Sequence, residues 1–227
     1  DSSTSRGLGD VYKRQTLDRI LISSLLLFAL PVAQADQGQK VFTQGGANPA
    51  AMACLGCHGP DGLGMAAAGF PRLAGLSAGY LAKQLRDFRD GTRKNPIMEP
   101  LAKALADEEI AAVSNTLAAM PAPAVPDDRR QQMASNATQQ LALYGDWSRQ
   151  IPGCVQCHGP GGVGVGEHFP PLAHQPAAYL VAQLNAWRDG SRSNDPNQLM
   201  VGVAKAMSDA EVKAVAEYFA AGQEVKP

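Results

Sequence analysis

Two copies of one short motif contain every cysteine of this chain. The first reads CLGCHGP from Cys54 to Pro60, and the second reads CVQCHGP from Cys154 to Pro160. In each copy two residues separate the thiols, and a histidine directly follows the second thiol. Thiols form disulfides, ligate metals or bond covalently to a prosthetic group, and imidazole is a common metal ligand. The motif therefore predicts a cross-link or a bound metal centre in each half of the chain.

Three kinds of chemistry compete for these residues. In an exported protein, cysteines usually form structural disulfides, which would give two C-x-x-C bridges or one crossed pair. A structural zinc ion takes four ligands, but each motif offers only three, and His168 and His174 could complete one site only. Covalent heme uses both thiols on the two vinyl groups of one porphyrin and places the adjacent histidine at the iron. Heme accounts for all four cysteines and for both adjacent histidines.

We predict two covalent heme c groups, one for each motif. Aromatic residues make up only 6% of the chain, so side chains alone would give two small domains a thin core, which a heme would fill. The predicted cofactor-binding residues are Cys54, Cys57 and His58 in the first copy, and Cys154, Cys157 and His158 in the second.

The second axial ligand of each iron is predicted to be a methionine. Met98 and Met200 occupy the same place in the two copies, in stretches with Asn and Pro that predict loops. Met207 competes with Met200, but it aligns with Leu105 and precedes the last helix, where an apolar contact is expected. A thioether ligand favours the reduced iron, and a histidine and a methionine together leave no iron position free for a substrate. The predicted iron ligands are His58, Met98, His158 and Met200.

An internal duplication organises the chain. FPRLAG at 70–75 matches FPPLAH at 169–174, and YLAKQLRDFRDGTR at 80–93 matches YLVAQLNAWRDGSR at 179–192. Between the copies, the proline-rich stretch PAPAVPDDRRQQ predicts a surface linker. The predicted organisation is an N-terminal extension with a signal peptide at 1–35, a first domain at 36–120, a linker at 121–132 and a second domain at 133–227.

Helices are the elements that must position both motifs. Apolar positions recur at three- and four-residue spacing over 80–88, and Gly91 supplies a stop. The second copy repeats this pattern over 179–187. Ser208, with Glu211 three residues later, predicts a capping box at the start of the last helix. No alternating strand pattern is present, so we predict an all-α fold of two tandem domains, each wrapped around a heme.

The N-terminal segment has the order of a secretory signal peptide. Lys13, Arg14 and Arg19 precede the apolar run ILISSLLLFALPVAQA, whose last three residues are a small-residue cleavage pattern. The run is apolar over about 14 residues, whereas a membrane span needs roughly 20. We therefore expect cleavage after Ala35 and a periplasmic protein. Residues 1–15 resemble neither a signal n-region nor a folded segment.

Charged residues exclude one class of partner. The chain has 20 Lys and Arg against 21 Asp and Glu, with no basic cluster that could follow a phosphate backbone, so nucleic acid is not an expected partner. Arg89 and Arg188 lie at aligned helix ends, where a cation is stabilising. An alternative role for arginine in this region is that Arg93 or Arg192 neutralises heme propionates. His168 and His174 have no counterparts in the first copy and are assigned no role.

The chain resembles diheme cytochromes c of the cytochrome c4 family over essentially all of residues 36–227. The matching features are both C-x-x-C-H motifs, the FPRLAG and YLAKQL-x-x-F stretches and the aligned methionines. The resemblance implies two class I cytochrome c domains related by pseudo-two-fold symmetry, with heme edges close across the interface. One difference concerns the last helix, where such domains place an aromatic against the N-terminal helix. The second copy has Tyr218 and Phe219 there, but the first has Thr116 and Leu117, so we expect a less stable first domain or a more mobile heme.

Electron transfer is the predicted function, because irons with both axial positions filled exchange electrons without binding a substrate. The resemblance implies a cytochrome bc complex as donor and a terminal oxidase as acceptor in a respiratory chain, met through transient contacts. Any membrane association would run through those partners only. The alternative is a cytochrome subunit or electron acceptor of a thiosulfate, sulfide or alcohol dehydrogenase.

Enzymatic activity is not expected of this chain. A diheme peroxidase needs an open iron position, and thiosulfate dehydrogenases typically use a cysteine as distal ligand, but this chain has no fifth cysteine. We therefore predict an electron-transfer protein without catalytic residues.

Overall fold

The structure is a computed structural model that describes residues 36–221. The predicted signal peptide, its cleavage after Ala35 and the last residues of the predicted second domain lie outside the described residues. Within 36–221, no helix is long and apolar enough to cross a membrane.

The first half of the described chain forms a small helical domain. One long helix ends at Gly91, as the sequence predicts, with φ 80°. It begins after Ser77, whose hydroxyl accepts a hydrogen bond from the Tyr80 N–H at 3.1 Å. A 3-10 turn covers Ala66–Ala68. The helices are α1 at 36–44, α2 (Leu55–His58), α3 (Ala78–Asp90), α4 (Met98–Ala104) and α5 (Asp107–Ala119).

The second half repeats this arrangement and adds a short helical turn before it and a pair of two-residue strands within it. The predicted capping box is confirmed: Glu211 accepts from the Ser208 N–H at 2.8 Å, and the Ser208 hydroxyl accepts from the Glu211 N–H at 3.3 Å. The elements are α6 (Asp127–Arg130), α7 (Ala137–Tyr144), β1 (Gly145–Asp146), β2 (Ile151–Pro152), α8 (Cys154–His158), α9 (Ala177–Asp189), α10 (Leu199–Ala206) and α11 (Asp209–Ala220).

Two details differ from the sequence prediction. The antiparallel pair β1–β2 was not predicted, because two-residue strands are too short to produce an alternating pattern. The predicted linker contains the helical turn α6, where Arg129 donates hydrogen bonds to the backbone oxygens of Tyr218 and Ala221. Part of the linker is therefore attached to the second half of the chain.

The last helix of the first domain lacks the aromatic, as the sequence shows, but the structure places an aromatic on the partner helix. Phe42 of α1 is fully buried and belongs to the same core cluster as Leu117 of α5. In the second domain the aligned positions are Ala142 of α7 and Phe219 of α11, which again share one buried cluster. The two domains therefore place the aromatic on opposite helices of the same pair. The comparison of the last helices alone could not reveal this exchange.

The two halves meet through a layer with local two-fold character. Arg93 pairs with its counterpart Arg192 in an isolated antiparallel bridge. The Lys94 N–H donates to the Ser191 oxygen at 2.8 Å, and the Ser193 N–H donates to the Thr92 oxygen at 2.7 Å. Each segment therefore donates one backbone hydrogen bond to its counterpart and accepts one from it.

Candidate heme sites

Each cysteine motif lies on a short helix at the wall of its own cavity. Cys54, Cys57 and His58 line a cavity of about 330 Å³, and their counterparts line one of about 480 Å³. Both volumes fall in the range of cofactor sites, roughly 300–1,000 Å³. All four cysteines are free thiols, so no disulfide bond joins them in this structure. Within 36–221, no three or more His, Cys, Asp or Glu side chains lie close enough together to hold a metal ion by themselves.

The two motif histidines are held in one tautomer. His58 and His158 are each only 7% exposed, and their Nδ1 atoms lie 2.9 Å from the Pro71 oxygen and 2.7 Å from the Pro170 oxygen. A carbonyl can only accept, so Nδ1 carries the proton and Nε2 keeps a free lone pair. Burial lowers the pKa of both histidines, which keeps them neutral. Each imidazole can therefore ligate a metal through Nε2.

The first thiol of each motif is buried. Burial raises the pKa of Cys54 and of Cys154 to about 11. Both sulfurs are therefore protonated at neutral pH as long as nothing is bound to them.

Both predicted methionine ligands line the cavities, but not from loops. Met98 is the first residue of α4, and Met200 is the second residue of α10. The Asn95 Oδ1 accepts from the Met98 N–H at 3.0 Å, and the Asp195 Oδ2 accepts from the Met200 N–H at 2.6 Å. These side chains satisfy backbone donors of the first helical turn, which explains why helices form despite the nearby prolines.

Met207 lines the second cavity together with Met200. It is 6% exposed and packs in a core cluster with Ile151 and Val212. Met207 precedes the N-cap Ser208, and Val212 is the fourth helical residue, which is the arrangement of a hydrophobic staple. The structure therefore brings both candidate methionines to the cavity, and Met207 already has a packing role.

Sequence reasoning missed a buried polar layer between the cavities. Arg93 donates to Gln84 Oε1 at 3.0 Å and to Gln183 Oε1 at 2.6 Å, and Arg192 donates to the same two oxygens at 3.1 and 3.0 Å. Arg93 also donates to the Tyr179 hydroxyl at 2.9 Å. Gln84 and Gln183, like Tyr80 and Tyr179, are aligned in the repeat, which was the available signal.

The buried arginines in and beside this layer make no direct contact with a carboxylate that would neutralise their charge. Arg72, Arg93 and Arg192 are 3–6% exposed, and within the described chain none of them forms a hydrogen bond or ion pair with a carboxylate. Buried cations normally need an anionic partner. All three line the first cavity, and Arg192 lines both. The layer therefore fits a bound group that carries carboxylates, as heme does.

The other predicted positions are accounted for separately. Arg89 binds Asp107 at 2.8 Å, and Arg188 binds Asp209 at 2.7 Å, so these arginines connect one helix end to the start of the next long helix. His168 is exposed at the edge of the second cavity. The Nε2 of His174 lies 3.2 Å from the Ala124 oxygen.

Comparison with known proteins identifies the family. The family model for cytochrome c matches residues 35–121 and again residues 142–222. The chain belongs to the cytochrome c family. It is a diheme electron-transfer cytochrome that carries two covalent heme c groups. Two tandem cytochrome c domains and the mostly helical fold are thereby confirmed.

Individual relatives refine this comparison. The cytochrome is 65% identical over 188 residues to the thiosulfate dehydrogenase electron acceptor of Stutzerimonas stutzeri (strain A1501), covering 83% of this chain and 87% of that one. Reduced recombinant cytochrome c4 from Pseudomonas stutzeri superposes with a TM-score of 0.66 at 31% identity, covering 82% of this chain and 97% of that one. The resemblance to cytochrome c4 is therefore confirmed.

A third relative is a longer protein. The "as isolated" form of thiosulfate dehydrogenase (TsdBA) from Marichromatium purpuratum has a TM-score of 0.73 and 45% identity. The match covers 82% of the present chain but only 40% of that chain. This cytochrome thus corresponds to less than half of that longer polypeptide.

Proposed function

We propose that this cytochrome is the electron acceptor of a thiosulfate dehydrogenase and passes the electrons one at a time to a further redox protein. The observation that carries the proposal is the 65% identity to a thiosulfate dehydrogenase electron acceptor over 87% of that relative. The similarity to a longer thiosulfate dehydrogenase chain supports the same assignment. We infer that the chain is a redox partner and not itself an enzyme, and that it acts in the periplasm.

The heme ligands that we propose follow from the cavity walls. In the first domain Cys54 and Cys57 would hold the porphyrin, with His58 and Met98 at the iron. In the second domain Cys154 and Cys157 would hold it, with His158 and Met200 at the iron. When bound, heme c supplies a one-electron iron couple. The residue boundaries 36–120, 121–132 and 133–227 remain our proposed division of the chain.

The protein's own residues have defined tasks in this scheme. The Pro71 and Pro170 oxygens keep a proton on Nδ1 of each histidine, so that Nε2 would be the nitrogen available to ligate the iron. Arg93 and Arg192 would neutralise heme carboxylates at the interface, and their burial without a carboxylate partner supports this role. Gln84 and Gln183 orient the two guanidinium groups by accepting from both.

A respiratory carrier is the second candidate function. The likeness to cytochrome c4 over 97% of that chain favours it. In that case a cytochrome bc complex would donate electrons and a terminal oxidase would accept them. The two candidates share the same heme sites and differ only in the donor.

Ligation is tested first, on protein matured with both hemes. We expect two hemes per chain, a weak sulfur-to-iron absorption band in the oxidised form, and a reduced spectrum that carbon monoxide does not change. Carbon monoxide binding at one iron without any substitution would contradict the proposed ligand set and favour an enzyme.

The donor is tested by mixing the oxidised cytochrome with purified thiosulfate dehydrogenase and thiosulfate. We expect reduction of both hemes at a rate that depends on dehydrogenase concentration, and no reduction by thiosulfate alone. Purified cytochrome bc complex with a quinol serves as the competing donor. Rapid reduction by that complex and none by the dehydrogenase would replace the leading proposal with the second candidate.

A further inference from the structure

The carbonyl groups that accept from the two motif histidines occupy aligned positions in the repeat. The Nδ1 of His58 lies 2.9 Å from the Pro71 oxygen, and the Nδ1 of His158 lies 2.7 Å from the Pro170 oxygen. Such outer partners fix the orientation and the basicity of a ligating imidazole. How firmly each carbonyl group is held therefore affects the histidine that it orients.

The residue after this proline differs between the two domains. In the second domain it is Pro171, so two successive prolines restrict the backbone of the segment, and Pro171 has no N–H group. In the first domain the aligned residue is Arg72, which is buried and does have an N–H group. A buried N–H without an acceptor is costly. The first domain therefore needs an acceptor that the second domain does not need.

The second domain supplies this acceptor to the first. The Gln175 Oε1 accepts from the Arg72 N–H at 3.0 Å, and the Gln175 Nε2 donates to the Arg72 oxygen at 2.9 Å. Both residues are 3% exposed, so solvent has little access to these two hydrogen bonds. The residue of the first domain that aligns with Gln175 is Leu76, whose apolar side chain cannot return the contact.

Both partners of this contact are held by their own domains. Gln175 directly precedes Pro176, the fully buried N-cap residue of α9. On the other side, a Cβ at Gly64 would lie 2.7 Å from the Arg72 nitrogen and 2.7 Å from the Pro71 carbonyl carbon. The peptide group between Pro71 and Arg72 therefore packs directly against the backbone of Gly64 and is also hydrogen-bonded to Gln175.

One peptide group connects Gln175 to the histidine. The Pro71 carbonyl, which accepts from His58, and the Arg72 N–H, which donates to Gln175, belong to the same planar unit. Fixing the direction of the N–H therefore fixes the direction of the carbonyl. A hydrogen bond from the N–H also polarises the peptide group and strengthens its oxygen as an acceptor. The corresponding peptide group of the second domain precedes Pro171 and can take no such partner.

We propose that Gln175 of the second domain is a positioning residue for the first heme, because it holds the peptide group that orients His58. The inference rests on the proposed ligation of the first iron by His58. It makes the axial histidine of the first domain dependent on the docking of the second domain. The support of His158 is instead local, because Pro171 restricts the segment from within.

The test compares hydrogen exchange of the two histidine Nδ1 protons, followed by NMR in the reduced two-heme protein. We expect Gln175→Ala to speed exchange of the His58 proton roughly tenfold, because a buried N–H loses its acceptor. Exchange of the His158 proton should not change, which makes the second site an internal control. Unchanged exchange at His58, or an equal increase at both histidines, would overturn the proposal.

Two further variants test the connection through the peptide group. Gln175→Glu keeps an acceptor for the Arg72 N–H and should retain most of the protection at His58. Arg72→Pro gives the first domain the double proline of the second and should make the His58 proton insensitive to a further Gln175→Ala change. Exchange as fast in Gln175→Glu as in Gln175→Ala, or continued sensitivity in the Arg72→Pro background, would contradict this connection.

Ser193→Ala is the control for general loosening of the domain interface. It removes the hydrogen bond that the Ser193 hydroxyl donates to the Thr92 oxygen at 3.2 Å, a contact between domains that does not involve the Pro71–Arg72 peptide group. Both Nδ1 protons should exchange as in the unaltered protein. An increase at His58 equal to that of Gln175→Ala would show that any weakening of the interface suffices, and would reject a specific role of Gln175.

Failure of this inference is distinguishable from failure of the proposed function. If His58 does not ligate the iron, its ring protons lack the shift that an adjacent heme produces, and the inference is rejected before any variant is made. If the dehydrogenase is not the donor, the mixing experiment fails, but both exchange rates can still be measured. A response of His58 to Gln175→Ala then still supports the positioning role.

Discussion

Met200 and Met207 both line the second cavity, so single substitutions can show which of them ligates the iron. We expect Met200→Ala to open one iron to carbon monoxide and to remove about half of the sulfur-to-iron band, because the other heme keeps Met98. Met207→Leu is the matched control and should leave the spectrum unchanged, since leucine can retain the packing against Val212. The reverse pattern would assign the ligand to Met207.

Glu211 provides a test of pH dependence at the residue scale. Arg149 donates to it at 2.6 and 3.0 Å, and the arginine together with the Ser208 backbone lowers the pKa of Glu211 from 4.5 to about 2. A carboxyl group with a lowered folded-state pKa stabilises the fold above its unfolded pKa, and this contribution is lost as pH falls through the folded value. We expect the free energy of unfolding to decrease between pH 4.5 and about 2.

The measurement is urea unfolding of the two-heme protein at several pH values. Glu211→Gln should flatten the pH dependence by about 1 kcal/mol or less, because the ion pair is partly exposed. Glu217→Gln is the control, since the Lys213–Glu217 contact is 3.9 Å long and more exposed. An equal change in both variants would contradict a specific role of Glu211.

The helix pair α1–α5 provides the test at the element scale. Phe42 is fully buried beside Leu117, whereas α7 and α11 have Ala142 and Phe219 at the aligned positions. We expect Phe42→Ala to destabilise the first domain by about 3–5 kcal/mol through the cavity that it leaves. The double variant Phe42→Ala with Leu117→Phe reproduces the arrangement of the second domain and should recover part of this loss.

Guanidinium unfolding, followed by heme absorbance and far-ultraviolet circular dichroism, measures these differences. Leu117→Phe alone should be destabilising, because it adds volume to a filled core. If the double variant is less stable than the sum of the single variants predicts, the two helix pairs are not interchangeable solutions of the same packing problem.

Gln175 tests the domain interface at the scale of the whole molecule. Its amide accepts from the Arg72 N–H at 3.0 Å and donates to the Arg72 oxygen at 2.9 Å. Gln175→Ala would leave two buried backbone groups unpaired, which costs about 1–3 kcal/mol for each buried unsatisfied group. We expect both domains to keep their hemes, and the Arg72 amide to exchange faster with solvent deuterium.

Native-state hydrogen exchange measured by NMR checks this prediction, with the exposed Gln140→Ala as control. Unchanged protection of the Arg72 amide would mean that the Arg93–Gln84–Arg192–Gln183 contacts hold the domains together without Gln175. Loss of heme from the variant would mean that the interface and the cavity are not energetically separable.

Much of the fold follows from local sequence signals. Ser77 caps α3, and Ser208 with Glu211 caps α11, because these side chains bond to backbone groups within a few residues. Gly91 ends α3 because glycine readily adopts the left-handed conformation found there. The helical conformation at Met98 and Met200 was not predicted. It depends on Asn95 and Asp195 accepting from the first turn, and the neighbouring prolines concealed that signal.

The sequence by itself determined the duplication, the two C-x-x-C-H motifs and therefore the family and its cofactor, because covalent attachment requires fixed residue types at fixed spacing. Only the tertiary structure showed which residues of the two halves pack together and which lie at the interface between them. The exchange of Phe42 and Leu117 for Ala142 and Phe219, and the layer around Arg93 and Arg192, join residues far apart in the chain. Burial and charge compensation are properties of three-dimensional neighbours, so the position of Arg72 relative to one heme site became apparent only when the chain was folded.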